Sequence, residues 1–291
     1  MAFRTVVVSN RCKLELRLGY LVCRKENDET KILLDEIKLL IVDSTLVNMS
    51  SALIVEMMKR KIKVIYCDEK HNPYGELTPY ENNYYTYRKI KEQMGYTQDA
   101  KDFLWKEIVK EKIANQARNL LKLHLIESVE LLHSYINEIK MGDSSNREGH
   151  AAKVYFNALF GKEFSRDNKD IVYNKYLNYG YSIILSSINR EVKALGYLTE
   201  LGVHHIGESN PFNLSCDLME PLRPLVDSLI VKGEIDEDTY RSKMINLLQT
   251  TVKYNDTEIF LDNAIRLYVE DIFNYLNTGD IEKIRFIQYE L

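Results

Sequence analysis

From residue 80 to residue 210 the chain contains no proline, and all five of its prolines lie outside that stretch. Proline removes a backbone donor and clashes with the preceding turn, so a long stretch without it is free to build long helices. The apolar spacing agrees. Residues 102–113 place Phe103, Trp105, Ile108, Val109 and Ile113 near one face, and residues 120–139 repeat leucine and isoleucine at three- and four-residue steps. Further helices are read at 147–160, 172–191, 214–229, 238–248 and 262–276. A small hairpin is expected near 252–261, where Asn255-Asp256 can turn the chain.

The first 75 residues follow a different period. Strands are expected at 4–8, 13–18, 20–24, 32–34, 39–42 and 62–67, with a polar turn at 26–30 and one helix at 49–61. Leu14, Leu16 and Leu18 alternate with polar residues, as a half-buried strand requires. Pro73, Gly75 and Pro79 make residues 71–80 the densest cluster of structure breakers, and the domain boundary is placed there. The expected fold class is α+β: a small β-rich N-terminal domain, 1–75, followed by a larger α-helical domain, 76–291.

Composition narrows the function classes. The 291 residues are 45% hydrophobic and 28% charged, ordinary values for a globular chain with its own core. No apolar run approaches the ~18 residues of a membrane helix, and the N-terminus lacks the pattern of a signal peptide, so no membrane association and a cytoplasmic location are expected. Cys12, Cys23, Cys67 and Cys216 are scattered without metal-binding spacing and read as reduced. The net charge of −4 is not that of a polycation. Basic residues exceed acidic ones by 13 to 11 in residues 1–80 and are outnumbered 26 to 32 beyond. Binding to DNA would need a local basic patch, or metal ions offsetting carboxylates.

Three segments concentrate chemistry. In SNREGHAAKVYFNALFG, residues 145–161, Glu148 opens a helix beside small residues; the competing reading is a capping box, Ser145-x-x-Glu148. In LGVHHIGESNPF, residues 201–212, His204 and His205 lie in a loop punctuated by Gly and Pro, and at most one of them is assigned to a site. In NLSCDLMEPLRP, residues 213–224, a helix would put Asp217 and Glu220 on one face. There the alternatives are acids favoured by a helix start and a simple Glu220–Arg223 pair. Carboxylates with an imidazole suit Mg²⁺ or Mn²⁺ better than zinc. No phosphate-binding Gly-rich loop and no dinucleotide fingerprint occurs.

These segments resemble the CRISPR-associated protein-one family, the integrase and endonuclease subunit of spacer acquisition in antiviral defence, most closely the variant that accompanies type II effectors. The matching strings are KIANQARNLL (112–121), EGHAAKVYF (148–156), LNYGYSIILSSINREV (177–192), LGVHHIGESNPFNL (201–214) and DLMEPLRPLVD (217–227), in family order over about half the chain. The resemblance implies a metal-dependent enzyme whose catalytic metal ligands map to Glu148, His205 and Glu220. Glu220 stands where many members carry Asp, and Asp217 falls to an auxiliary role. It further implies a homodimer formed through the N-terminal domain, and double-stranded DNA as substrate, both captured fragment and repeat array. The implied partners are the CRISPR-associated protein-two and, beyond it, other adaptation proteins and the effector nuclease. With Mg²⁺ or Mn²⁺ as cofactor, the captured DNA's 3′-hydroxyl would attack a repeat phosphodiester, so no protein nucleophile is needed. The competing readings are a non-catalytic DNA-binding scaffold of the same complex and a metal-dependent hydrolase of a small molecule.

Overall fold

A computed structural model describes residues 4–25, 28–69, 73–77, 79, 85–168, 170–233 and 235–290. Contacts divide the chain into two compact units, residues 1–81 and 82–291.

The N-terminal unit holds two four-stranded sheets. Strands β1 (Arg4–Val8), β5 (Ile37–Val42), β7 (Lys63–Cys67) and β8 (Pro73–Glu76) form one in that order, parallel except for the antiparallel β7–β8 pair. The other has the order β4 (Asp28–Leu33), β3 (Tyr20–Lys25), β2 (Cys12–Arg17), β6 (Val47–Met49). Strand β5, IKLLIV, is buried at every position but Lys38, the near-continuous apolar pattern of a parallel strand covered on both faces. Leu14, Leu21, Leu40, Val42 and Val64 from the two sheets share one core with Leu53 and Met57 of α1 (Ser51–Lys59).

Some local expectations change. Leu18 is not a strand residue: it and Gly19 adopt positive φ to turn the β2–β3 hairpin, leaving the leucine exposed. The expected turn at 26–30 is cut short by β4, which begins at Asp28; residues 26 and 27 lie outside the described set. Within the expected 71–80 loop, Pro73–Glu76 pairs with β7 as an edge strand, the place where a sheet tolerates proline; residues 71, 72, 78 and 80 are outside the described set.

The second unit is mainly helical: α2 (Thr86–Met94), α3 (Gln98–Lys122), α4 (Ile126–Glu138), α5 (Arg147–Phe160), α6 (Val172–Ala194), α7 (Asn213–Met219), α8 (Arg223–Val231), α9 (Tyr240–Asn246) and α10 (Leu261–Thr278). The hairpin β9 (Thr251–Tyr254)–β10 (Thr257–Phe260) turns through Asn255 and Asp256, both at positive φ, as the sequence suggests. Helix α3 is one element of 25 residues, about 38 Å long, extending past the expected 102–113 at both ends, and the pattern read over 120–139 divides between its last turn and α4. It is buried on more than one face, which is why Lys112, Asn115, Gln116 and Asn119 join its interior positions. The single helix expected at 214–229 is broken. A 3-10 turn, Glu220–Leu222, separates α7 from α8, with Pro221 inside it and Pro224 at the start of α8. Two α3 amides hold this break, Asn115 donating to the Pro221 carbonyl at 2.9 Å and Asn119 to the Pro224 carbonyl at 2.8 Å. Gly180 of α6 lets two elements pass closely, since a Cβ there would lie 2.4 Å from Val226 and 2.7 Å from the Met244 sulfur.

Candidate active site

Helix α5 starts in an unexpected way. Ser145 does not cap it; its hydroxyl bonds the Glu138 carbonyl and Asp143. The cap is Asp143, whose two carboxylate oxygens accept the Arg147 and Glu148 amides at 2.8 and 2.9 Å. The capping-box alternative for Glu148 therefore does not hold, and its side chain is free to point elsewhere. It reaches Lys112 of α3, where Oε1 lies 2.6 Å from the ammonium.

The same ammonium lies 2.5 Å from Oε2 of Glu220, and the other oxygen of Glu220 accepts Arg223 Nε at 2.8 Å. Both Lys112 and Glu220 are buried. Burial opposes ionisation of Glu220, but Arg223 and Lys112 outweigh it and hold the carboxyl at about 2. Burial likewise works against the charged form of Lys112, and Glu220 and Glu148 reverse the balance and raise its pKa. The expected Glu220–Arg223 pair and the convergence of Glu220 with Glu148 thus coexist, one oxygen serving each.

Asp217 and Glu220 take different partners. Asp217 is completely buried and turns to the 201–212 loop, where Oδ2 accepts the backbone N–H of Val203 at 2.6 Å and of His204 at 3.0 Å. Oδ1 accepts the backbone N–H of His205 at 3.1 Å and its ring Nδ1 at 2.5 Å. Gly202 makes this close approach possible: a Cβ there would stand 2.2 Å from the His205 carbonyl oxygen and 2.9 Å from Asp217 Oδ2. The two histidines diverge. His204 stacks flat on Trp105, with centroids 4.2 Å apart and an interplanar angle of 2°, while His205 meets the edge of the same indole. With Nδ1 assigned as donor to Asp217, the neutral form of His205 has Nε2 as its acceptor. The Asp217 hydrogen bond raises the His205 pKa, burial opposes the rise, and the charges of Asp217, Glu220 and Glu148 add to it. Its side chain, 42% exposed, lines an open groove of about 590 Å³ with Gln93, Lys101, Glu200 and Glu208.

Two carboxylates converging on one cationic point are what a hard divalent ion asks of its ligands, and a neutral imidazole nitrogen completes a suitable donor set. The donor chemistry fits Mg²⁺ or Mn²⁺, with the Lys112 ammonium standing as a cation between the two glutamates. Among the described residues no three His, Cys, Asp or Glu side chains form a ready-made metal cluster. His205 feels the charge of both glutamates but is held by Asp217.

Sequence reasoning missed Lys112, Trp105 and Asp143 as parts of this site. Lys112 carried a signal, since it stands three and four residues beyond Val109 and Ile108 on the apolar face of α3. A lysine there must find a counter-charge indoors.

Comparison with known proteins identifies the family. The family model described as CRISPR associated protein Cas1 matches residues 5–257. A CRISPR-associated endonuclease Cas1 of Neisseria meningitidis serogroup C is 32% identical over 231 residues, covering 79% of this chain and 76% of that one. Two solved structures share the fold. A casposase bound to integration product has a TM-score of 0.78 at 18% identity, over 99% of this chain and 95% of its own. A chain of a Cas6-RT-Cas1–Cas2 complex has a TM-score of 0.76 at 20% identity, over 99% of this chain and 36% of that longer one. A family match spanning most of the sequence, over a strand-rich unit followed by a helical one, places this chain in the Cas1 family of CRISPR-associated proteins.

Proposed function

We propose that the protein is a divalent-metal-dependent DNA integrase and endonuclease of CRISPR adaptation, with Glu148, His205 and Glu220 as metal ligands. The observation that carries this reading is the convergence of Glu148 and Glu220, from separate elements, on one cation, with the charge of both acting on the His205 ring. Bound Mg²⁺ or Mn²⁺ would supply Lewis-acid polarisation of a phosphodiester and stabilise charge on its oxygens. The protein's own groups do the rest. Asp217 and the stacked Trp105–His204 pair fix the loop, so that the His205 ring presents Nε2 without reorganising. Arg223 keeps Glu220 ionised. The nucleophile is the 3′-hydroxyl of captured DNA in integration and water in nicking, and no side chain is consumed.

The assembly belongs to the same proposal. The protein works in the cytoplasm as a homodimer formed through its N-terminal unit, on double-stranded DNA and with a Cas2 partner. The likeness to a chain of a Cas1–Cas2 complex and to a casposase with its integration product supports this reading. No helix among the described residues is long and apolar enough to cross a membrane.

A second reading, a non-catalytic DNA-binding scaffold, draws support from the same ammonium, because Lys112–Glu148–Glu220 also serves as a buried ion network joining α3, α5 and the 3-10 turn. Glu148→Gln separates the two. It removes a metal-binding charge while keeping shape and hydrogen bonding. Assayed with the Cas2 partner, a 3′-hydroxyl duplex and a repeat-bearing plasmid, the variant is expected to bind DNA normally and to lose strand transfer by at least about tenfold. Unchanged strand transfer would remove Glu148 from the chemistry, as the scaffold reading requires.

A further inference from the structure

Lys112 is left without a task in the chemistry just proposed, yet it occupies the centre of the site. It is 8% exposed, its stem lies on a helix face with Ile108, Val109 and Ile113, and its ammonium bridges Glu148 and Glu220. A buried ammonium loses its hydration and persists only where charge-assisted partners replace the water. Glu220 is buried and Glu148 partly so, and two carboxylates in one place need a cation for the same reason, since without one they repel. Lysine and glutamates therefore stabilise each other in the protein as it stands.

A divalent ion bound by the same two carboxylates would sit about 2.1 Å from their oxygens. It would fall in the space the ammonium fills, at 2.6 and 2.5 Å from Oε1 of Glu148 and Oε2 of Glu220. Two cations cannot share that space, because they would repel over a few ångströms in a poorly hydrated setting. Lysine is suited to leave: its charge rides on a flexible four-carbon stem, whereas the Arg223 fork, which also holds Glu220, is rigid. We propose that the Lys112 ammonium and a divalent cation are alternative occupants of the space between Glu148 and Glu220, so that Lys112 holds the two carboxylates together until the ion displaces it. This rests on the proposal that Glu148 and Glu220 are metal ligands. Its consequence is competition. Lys112 lowers apparent metal affinity and keeps the metal-free site from flying apart.

The test is Mn²⁺ binding by calorimetry on the full chain, with thermal melting in chelator and in saturating Mn²⁺. Lys112→Gln, which keeps donors for both carboxylates but no charge, is expected to bind Mn²⁺ about tenfold more tightly than wild type. It should also melt lower in chelator and gain more from the ion. Equal or weaker Mn²⁺ binding by Lys112→Gln overturns the proposal. A variant that does not fold leaves the wild-type measurement: the Lys112 Nζ resonance in a ¹⁵N-lysine sample should move at saturating Mg²⁺, and a resonance that stays in place overturns the proposal. Glu148→Gln separates the two failures. If it binds Mn²⁺ as wild type does, the metal reading itself falls, and this proposal with it. If it loses Mn²⁺ while Lys112→Gln gains nothing, only the competition falls.

Discussion

Asp217→Asn tests how the histidine loop is held. The carboxylate is completely buried and accepts four hydrogen bonds, two at each oxygen. The variant replaces one oxygen with an NH₂ group, and either orientation turns two donors against it: the Val203 and His204 amides, or the amide and ring N–H of His205. Hydrogen bonds to a charged partner contribute ~1.5–3 kcal/mol each, so losing two costs ~3–6 kcal/mol. The cost falls first on the 201–212 loop, whose other ties include the Gln93 side chain on the Leu201 carbonyl, the Asn213 side chain on the Gly207 carbonyl and the His204–Trp105 stack. For a unit of this size ~3 kcal/mol corresponds to roughly 6–12 °C in melting temperature, unless the loop detaches before the rest unfolds. The ring chemistry changes as well. The Asp217 hydrogen bond is the largest cause of the raised His205 pKa, so in the variant that pKa should fall and the ring should lose its fixed tautomer. Long-range ¹H–¹⁵N spectra of the histidine rings, with urea titrations alongside, read both effects. Stability within ~0.5 kcal/mol of wild type together with an unchanged His205 tautomer would refute the argument, because either effect alone follows from the geometry.

Gly202→Ala is expected to push the loop off Asp217, lowering stability by ~1–3 kcal/mol and strand transfer with it, as thermal melts and integration assays would register. Asp227 gives a pH signature: burial raises its pKa to about 6 despite the Tyr181 hydroxyl that donates to it at 2.5 Å. The folded form then holds its proton more tightly than the unfolded one, so this contribution is complete below pH ~4 and is lost as pH rises through about 6, ~3 kcal/mol in all. Asp227→Asn should gain stability relative to wild type between pH 5 and pH 8 in urea titrations, and a constant difference across that range would contradict the assignment. Excess chelator is expected to abolish strand transfer while leaving far-UV circular dichroism unchanged, because the second unit has a core of its own and Lys112 still bridges the two glutamates.

Period and punctuation made much of the fold legible. The apolar run of β5, the Asn255-Asp256 hairpin and the helices read at 147–160 and 172–191 follow from local patterns that the tertiary structure does not override. What stayed hidden depends on distant partners. A proline-bearing segment reads as a loop until β7 pairs with it. Helix α3 runs on where its apolar stripe fades, because neighbours cover its Asn and Gln positions as well. The site divides the same way. Glu148 as a helix-start acid was visible, but its freedom from capping was not, since that depends on Asp143 taking both amides from a strained turn at positive φ. The i, i+3 spacing of Asp217 and Glu220 suggested a shared face, but their partners, the histidine loop for one and Lys112 with Arg223 for the other, depend on distant segments.

The charges at the site bear on how an acidic chain, with a net charge of −4, could meet DNA. Glu148, Glu220 and Asp217 bring three negative charges, and Lys112 and Arg223 bring two positive ones, so with His205 neutral the cluster is negative by one. In that state it repels a phosphodiester. A divalent ion taken up between the glutamates would make it positive by one without moving any fixed charge of the protein, because a displaced Lys112 stays tethered to α3 nearby. DNA affinity at the site would then be conditional on the metal, and the steep salt dependence expected of phosphate contacts would appear in full only with metal present. A polycationic surface would grip DNA with or without the ion; with Lys112 displaceable as proposed, this site would couple the grip to readiness for chemistry.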